Sequence, residues 1–257
     1  MSVLELDPRD ARSARLVSAL LPIAETVCKH YVRLEVEGLE NILKTPALFV
    51  GNHSGGISGP DIACTLSTLW RQLGPDYPLY ALAHDFAMRM FTPFGRVIGL
   101  FGAIAATRHN ALRVFEAGGS VLVYPGGDID AYRTFAERDR VRILPRNGYI
   151  DTARAGGVPI VPIVAQGAHR SAYIFSDGKD LARRLNLKKL MRTERFPMAL
   201  ALPWGLALGP AMPYLPLPFR IKLRILPPMQ FGSHVAAIDA SAEVQAAMQQ
   251  AMDELAA

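Results

Sequence analysis

Residues 47–61 read Ala47-Leu48-Phe49-Val50-Gly51-Asn52-His53-Ser54-Gly55-Gly56-Ile57-Ser58-Gly59-Pro60-Asp61. Ala47 to Val50 is a short apolar run of the length of a buried strand. It ends at Gly-Asn, and a histidine follows at once. Ser54 to Gly59 is built of small residues that let a backbone lie close to a ligand. Pro60 suits the first turn of a helix, where its missing N–H is not needed. Asp61 then falls in that first turn, where the helix dipole favours a carboxylate. A strand thus delivers a histidine, and a helix start delivers an aspartate. If the loop folds back, the carboxylate holds the imidazole, fixes its tautomer and stabilises the imidazolium, with no protein nucleophile required. The plainer alternative is a loop histidine and a first-turn aspartate that never meet.

The same strand–loop–helix grammar recurs. Apolar runs at Tyr80–Ala83, Gly99–Ala106, Val121–Tyr124 and Val158–Val164 alternate with helical stretches at Pro60–Leu73, Asn110–Ala117 and Tyr149–Ala155. Short helices broken at Pro93-Phe94-Gly95 are expected within Ala87–Val97. Arg33–Val36 alternates as an edge strand does, and Gly38–Asn41 reads as the turn after it. The alternation predicts an α/β fold with a mostly parallel central sheet flanked by helices. Ligands of such sheets bind beyond the carboxyl ends of the strands. His53, His84, Arg108, the Tyr124-Pro125-Gly126-Gly127 stretch and Gln166 to His169 all follow strand ends, which points to a single site.

Residues 9–32 read as a helix whose Leu16, Leu20, Ile23, Val27 and Tyr31 form one apolar stripe, with Pro22 expected to kink or split it. The stripe either packs on the core or lies on a membrane. The expected organisation is an N-terminal helical arm, 1–34, and one larger domain, 35–257. Leu181 to Arg195 is basic, either a solvated helix or one reaching for anionic head groups. Phe196 to Phe219 carries no charge and six prolines. It is long enough to span a bilayer, but the prolines rule out a spanning helix. We expect an irregular apolar segment there, wrapped on the core or dipping into a membrane interface. Arg220–Ile225 reads as a late strand, and a helix from Ala240 to Leu255 ends the chain.

Composition narrows the partners. Half of the 257 residues are hydrophobic, the formal charge is +5 and the pI is about 9.4. That balance suits an anionic ligand or surface. No nucleic-acid module or aromatic–basic interleaving is present. Cys28 and Cys64 have neither disulfide-framework nor zinc-ligand spacing and fit a reducing compartment. Glu5, Asp7 and Asp10 precede any apolar run, unlike a signal peptide.

Other chemistries fit poorly. Asp128-Ile129-Asp130 matches a metal-holding D-x-D only as any two such aspartates do. An aspartyl-phosphate nucleophile would stand at the strand end, where Tyr124-Pro125-Gly126-Gly127 intervenes. G-x-G-x-x-G and G-x-S-x-G are absent around His53. Arg108 and Arg133 remain as forked donors for an anion or as surface charge, and His84 and His169 as structural histidines.

Four blocks then occur in order: Asn52-His53-Ser54-Gly55-Gly56 to Asp61, Gly102 to Arg108, Tyr124-Pro125-Gly126-Gly127 with Arg133, and Val158-Pro159-Ile160-Val161-Pro162. Over roughly residues 35–230 the chain resembles the glycerolipid and lysophospholipid acyltransferase superfamily, with the third block most similar to its monoacylglycerol and diacylglycerol acyltransferase-like branch. The resemblance implies an O-acyltransferase that moves a fatty acyl group from acyl-CoA or an acyl-carrier protein to a glycerolipid hydroxyl. His53 would be the general base and Asp61 its orienting partner. Arg108 would bind the polar end of the acceptor, and Tyr124, Pro125, Gly126, Gly127 and Arg133 would shape and charge the substrate site. Val158 to Pro162 would help line the acyl-donor pocket. Backbone N–H groups of a glycine-rich loop would hold the oxyanion. No cofactor or metal is implied. The partners would be the thioester donor, a lipid acceptor and the membrane surface, and the protein would lie peripherally on the cytoplasmic side. Two departures stand out. Seven residues separate His53 from Asp61 where the family has four, so the loop must bulge. Gly126 and Asp130 stand where the family carries a glutamate, which favours a neutral or unusual acceptor. A lipid-binding protein of the same fold without turnover, or a lipid hydrolase using water at His53, are the alternatives.

Overall fold

The computed structural model describes residues 12–83, 98–190, 193–210, 212 and 214–257. His84 and the helices expected over 87–97 lie outside these residues. In chain order the main elements are α1 (Ala14–His30), β1 (Glu35–Glu37), β2 (Leu48–Gly51), α2 (Pro60–Leu73), β3 (Leu79–Ala83), β4 (Ala103–Ala105), α3 (Arg108–Glu116), β5 (Ser120–Val123), α4 (Gly127–Ala131), α5 (Gly148–Gly156), β6 (Ile160–Gln166), β7 (Tyr173–Ser176), α6 (Lys179–Arg184), α7 (Leu187–Leu190), β8 (Met198–Ala201), β9 (Gly205–Leu208), β10 (Lys222–Ile225) and α8 (Ala237–Ala256).

The central sheet runs β1-β10-β6-β2-β5-β3-β4. Its pairings are parallel except β10 against β6. β2 lies in the middle and all four of its residues are buried, as expected of a strand covered on both faces. Side-chain alternation sorts those faces. Leu48, Val50 and Val121 join the core under α3, α5 and α8. Phe49 and Leu122 join the core under α1 and α2. His53 continues the parity of Phe49 and Gly51, so the chain leaves β2 biased toward α2. The Asn52 amide closes the end of the β2–β6 ladder, donating from Nδ2 to Ala165 O (3.1 Å) and accepting at Oδ1 from Ala165 N (2.8 Å).

Three expectations change. α1 runs unbroken through Pro22 rather than splitting. Its inward residues are Val17 and Cys28, with Cys28 Sγ 3.5 Å from Cys64 Sγ of α2. The stripe of Leu20, Ile23, Val27 and Tyr31 faces outward instead, Ile23 being 60% exposed. Both sides of this helix are apolar, so periodicity alone did not fix which one packs. The second change is in 196–219. That stretch is not irregular throughout: β8 and β9 pair antiparallel within it and join β7 in a separate three-stranded sheet. The basic stretch before it forms the short helices α6 and α7 rather than one long helix.

Candidate active site

His53 leaves β2 and meets Asp61 across the loop. Its Nδ1 lies 2.9 Å from Asp61 Oδ2, and the same oxygen accepts from Ser54 N at 2.9 Å. The long spacing is absorbed as the sequence requires, by a short 3-10 turn at Gly56–Ser58 entered from a left-handed Gly55 (φ +84°). A Cβ at Gly55 would also stand 2.7 Å from the Pro60 ring, so the bulge needs glycine there. The Asp61 carboxylate is fully buried, while His53 keeps part of its ring exposed. A carboxylate at Nδ1 accepts a hydrogen bond from Nδ1–H, which leaves the Nε2 lone pair for chemistry. Burial alone would lower the imidazole pKa. The charge and hydrogen bond of Asp61 outweigh it, Asp130 adds and Arg133 opposes, and the result lies above the ordinary value. The Tyr124 ring sits beside the imidazole, with centroids 5.2 Å apart. Ser54 Oγ is buried and has no hydrogen-bond partner among the described residues, so it forms no nucleophile–base pair with His53.

A second layer holds this loop. The Asp130 carboxylate accepts from His53 N, from Arg142 N (3.0 Å) and from Arg133 Nη1 (2.9 Å). Burial pushes Asp130 above the usual carboxylate range, against the pull of Arg133 and these backbone donors. Arg133 corrects the sequence expectation. Its side chain is only 1% exposed, and its three nitrogens donate to protein oxygens: His53 O (2.8 Å), Glu137 O (3.0 Å), Arg138 O (3.0 Å) and Asp130. It locks the backbone of the histidine, with its guanidinium committed to protein oxygens. His169 donates from Nε2 to Arg133 O and accepts Gly55 N at Nδ1 (3.3 Å). Burial and the nearby Arg133 lower its pKa to about 3, so it stays neutral.

These bonds narrow where an oxyanion could find backbone donors. The N–H groups of His53, Ser54 and Gly55 are spent on Asp130, Asp61 and His169. This part of the loop has none left for an oxyanion.

The other expected site residues are distributed as follows. Tyr124 borders the histidine and Pro125 is buried next to it. Gly126 permits a close approach, since a Cβ there would stand 2.2 Å from Arg142 O and 2.5 Å from Asp130 Cβ. Gly127 opens α4, against the Arg146 guanidinium. Val158 and Pro159 precede β6 and are half-buried. Arg108 opens α3, exposed, after the Thr107 cap. It lies on the same sheet edge as His53 but three strands along, about 14 Å at ordinary strand spacing; no direct contact joins them among the described residues. The two aspartates of the D-x-D point to different partners, Asp128 to Arg146, Thr193 and Glu194 N. No group of three or more potential metal ligands occurs among the described residues. Sequence reasoning missed the holding role of Asp130; its i,i+3 spacing to Arg133 was the available signal.

A family model described as acyltransferase matches residues 33–166, just over half of the chain. The chain belongs to the acyltransferase family. The superfamily resemblance read from the four blocks therefore stands. Among curated relatives of this acyltransferase, an uncharacterized protein of Mycobacterium tuberculosis is 29% identical over 180 residues, 69% of this chain and 49% of that protein. Human diacylglycerol O-acyltransferase 2 is 23% identical over 157 residues, 58% of this chain and 40% of that protein. The chain thus spans about half the length of the curated relatives it matches. The solved 1-acyl-sn-glycerophosphate acyltransferase of Thermotoga maritima superimposes with a TM-score of 0.56 at 15% identity, covering 94% of this chain and 82% of that one. It shares the fold: a mostly parallel sheet flanked by helices.

Proposed function

We propose that this acyltransferase moves a fatty acyl group from a thioester donor, acyl-CoA or acyl-carrier protein, to a hydroxyl of a glycerolipid at a membrane surface. The observation that carries the reading is the hydrogen bond between His53 Nδ1 and the buried Asp61 at 2.9 Å, at the carboxyl edge of a parallel sheet. His53 Nε2 takes the proton of the acceptor hydroxyl as its oxygen attacks the thioester carbonyl. Asp61 stabilises the imidazolium that forms, and the proton passes to the departing thiolate sulfur. The C–O bond forms, the C–S bond breaks, and no acyl-enzyme intervenes. Arg108 supplies positive charge for the polar end of a substrate lying along the same edge. No helix among the described residues is long and apolar enough to cross a membrane, and the outward apolar stripe of α1 supports attachment by a surface.

The test is thiol release from long-chain acyl-CoA with lysophospholipid, glycerol-phosphate, monoacylglycerol and diacylglycerol acceptors, with an acyl-carrier-protein donor run beside it. Acceptor-dependent thiol release that disappears in His53→Ala is the expected result. Full activity in His53→Ala overturns the mechanism. Free fatty acid formed without any acceptor replaces transfer by hydrolysis.

A further inference from the structure

The small sheet β7-β8-β9 has its alternation inverted. In a half-buried antiparallel sheet the large apolar side chains normally point inward and polar ones outward. Here Ile174, Ala199 and Ala207 form the inner row, and all are buried. Directly opposite one another on the outer row stand Tyr173, Leu200 and Leu206, all exposed. Phe175 and Leu208 extend that row, and Trp204 stands at the β8–β9 turn. The outer face therefore carries larger apolar groups than the inner one, across three strands. A face of this kind marks an interaction surface.

This face continues beyond the sheet. Leu202 bridges to Leu215, which is 58% exposed. Tyr31, the last member of the outward stripe of α1, donates its hydroxyl proton to Pro216 O. The outward stripe of α1 and the outer face of the small sheet are thus joined through 215–217.

Charge identifies the occupant. Between residues 170 and 220 the chain has nine Lys and Arg against three Asp and Glu, an excess larger than the +5 of the whole protein. α6 and α7 sit in the connection from β7 to β8 and expose Arg183, Arg184, Lys188 and Lys189, with Leu181 and Leu185 exposed between them. Large apolar side chains edged by lysines and arginines match acyl chains below and anionic head groups above. Aromatic residues such as Tyr173 and Trp204 suit the boundary between them.

We propose that the outer face of β7-β8-β9 and the outward stripe of α1 together form the surface that lies on an anionic bilayer, with α6 and α7 at head-group level. This deepens the proposed function and rests on it for its purpose. The surface is anchored to the catalytic loop, where Tyr214 donates to Gly55 O and Ser58 Oγ donates to Tyr214 O (2.7 Å), and to the end of α4, where Tyr132 OH donates to Pro210 O (2.9 Å). With this face on the bilayer, the loop that carries His53 is held close to membrane-borne acceptors.

The experiment is flotation of the full chain with vesicles of phosphatidylcholine, with and without phosphatidylglycerol, together with tryptophan quenching by lipids brominated on the acyl chain. The protein has two tryptophans. Trp70 is buried, so quenching reports Trp204. The expected result is binding to phosphatidylglycerol-containing vesicles with Trp204 quenched. Leu200→Ser/Leu206→Ser and Ile23→Ser/Val27→Ser should each lower the bound fraction by about tenfold or more. Lys188→Glu/Lys189→Glu should weaken binding only where anionic lipid is present. Transfer from acyl-CoA to a short-chain, water-dissolved acceptor separates this proposal from the enzymatic one: the Leu200→Ser/Leu206→Ser protein should retain it while losing transfer to a vesicle-borne acceptor. Wild-type protein that does not float with anionic vesicles at low salt overturns the proposal. So does vesicle-bound protein with Trp204 unquenched. A lipid-free dimer that Leu200→Ser/Leu206→Ser dissociates assigns the face to a second copy and overturns it as well.

Discussion

The proton on His53 Nδ1 belongs to a bond with a fully buried carboxylate, and that single contact sets the pH behaviour of the site. In the proposed mechanism His53 works as a base only when neutral, and its pKa is raised above 6.5. Activity should therefore climb with pH through an acid limb whose midpoint lies above 6.5. Asp61→Asn removes the main group that raises the pKa and lets the amide favour the wrong tautomer. It should move that limb to lower pH while reducing kcat on the order of 10²–10⁴-fold. A pH–rate profile of kcat/KM for both proteins checks this, and an unmoved acid limb in Asp61→Asn would contradict it. His169 makes a prediction of opposite sign. Its folded pKa is about 3 against 6.5 for the free group. As pH falls below 6.5 the unfolded chain takes the proton first, so the stability present above 6.5 is lost toward pH 3. By pH 4.5 the loss from this residue is roughly 3 kcal/mol. His53, with its raised pKa, works the other way, so the effect is read by difference. Urea midpoints of wild type and His169→Gln should converge between pH 7 and pH 4.5; parallel curves would remove His169 as the cause.

At the scale of elements, the loop between β2 and α2 keeps its shape because Asp130 of α4 and Arg133 just after it hold its backbone. Asp130 and Arg133 are both buried and each binds the backbone of His53. Asp130→Ala leaves the guanidinium buried without its partner and frees His53 N. The expected cost is about 3–5 kcal/mol in urea unfolding, the range for breaking a buried pair. Full stability in that variant would show that the pair does not hold the loop. These elements differ in how legible they were. The bounds of α2 were readable to the residue, because Pro60 opens it and Gly74-Pro75 follows it. β2, β5 and β6 were readable because buried parallel strands are continuous apolar runs between glycines and loops. The His53–Asp61 encounter was one of two readings left open by the strand end and the helix start, and the family resemblance was what favoured it. The burial of Arg133 was not foreseen. Beyond its i,i+3 spacing to Asp130, Arg133 carries no local mark of which carbonyls will surround it, and its acceptors come from His53, Asp130 and 137–138.

For the molecule as a whole, the harder lesson lies in 196–219. Six prolines and no charge suggested irregular chain, yet Pro197 stands before β8, Pro203 lies between β8 and β9, and Pro210 comes after β9. They occupy the positions that strands allow. The period-2 signal was hidden because it alternates in size, leucine against alanine, and not in polarity. That arrangement makes a prediction about stability that needs no lipid. Leu200 and Leu206 point away from the inner row, so Leu200→Ser/Leu206→Ser should change unfolding free energy by no more than about 0.5 kcal/mol per site. Ala199 and Ala207 are buried at the inner row, with Ala207 packed beside Met212 and Tyr214. Enlarging either to leucine overfills that row and should cost about 1–3 kcal/mol, or about 2–4 °C in Tm for each kcal/mol in a chain of this size. Thermal unfolding of the four proteins decides it. The usual rule would make the leucines costly to lose and the alanines tolerant of change. The inverted order is expected here because the sheet keeps its small residues for the fold and turns its large ones outward.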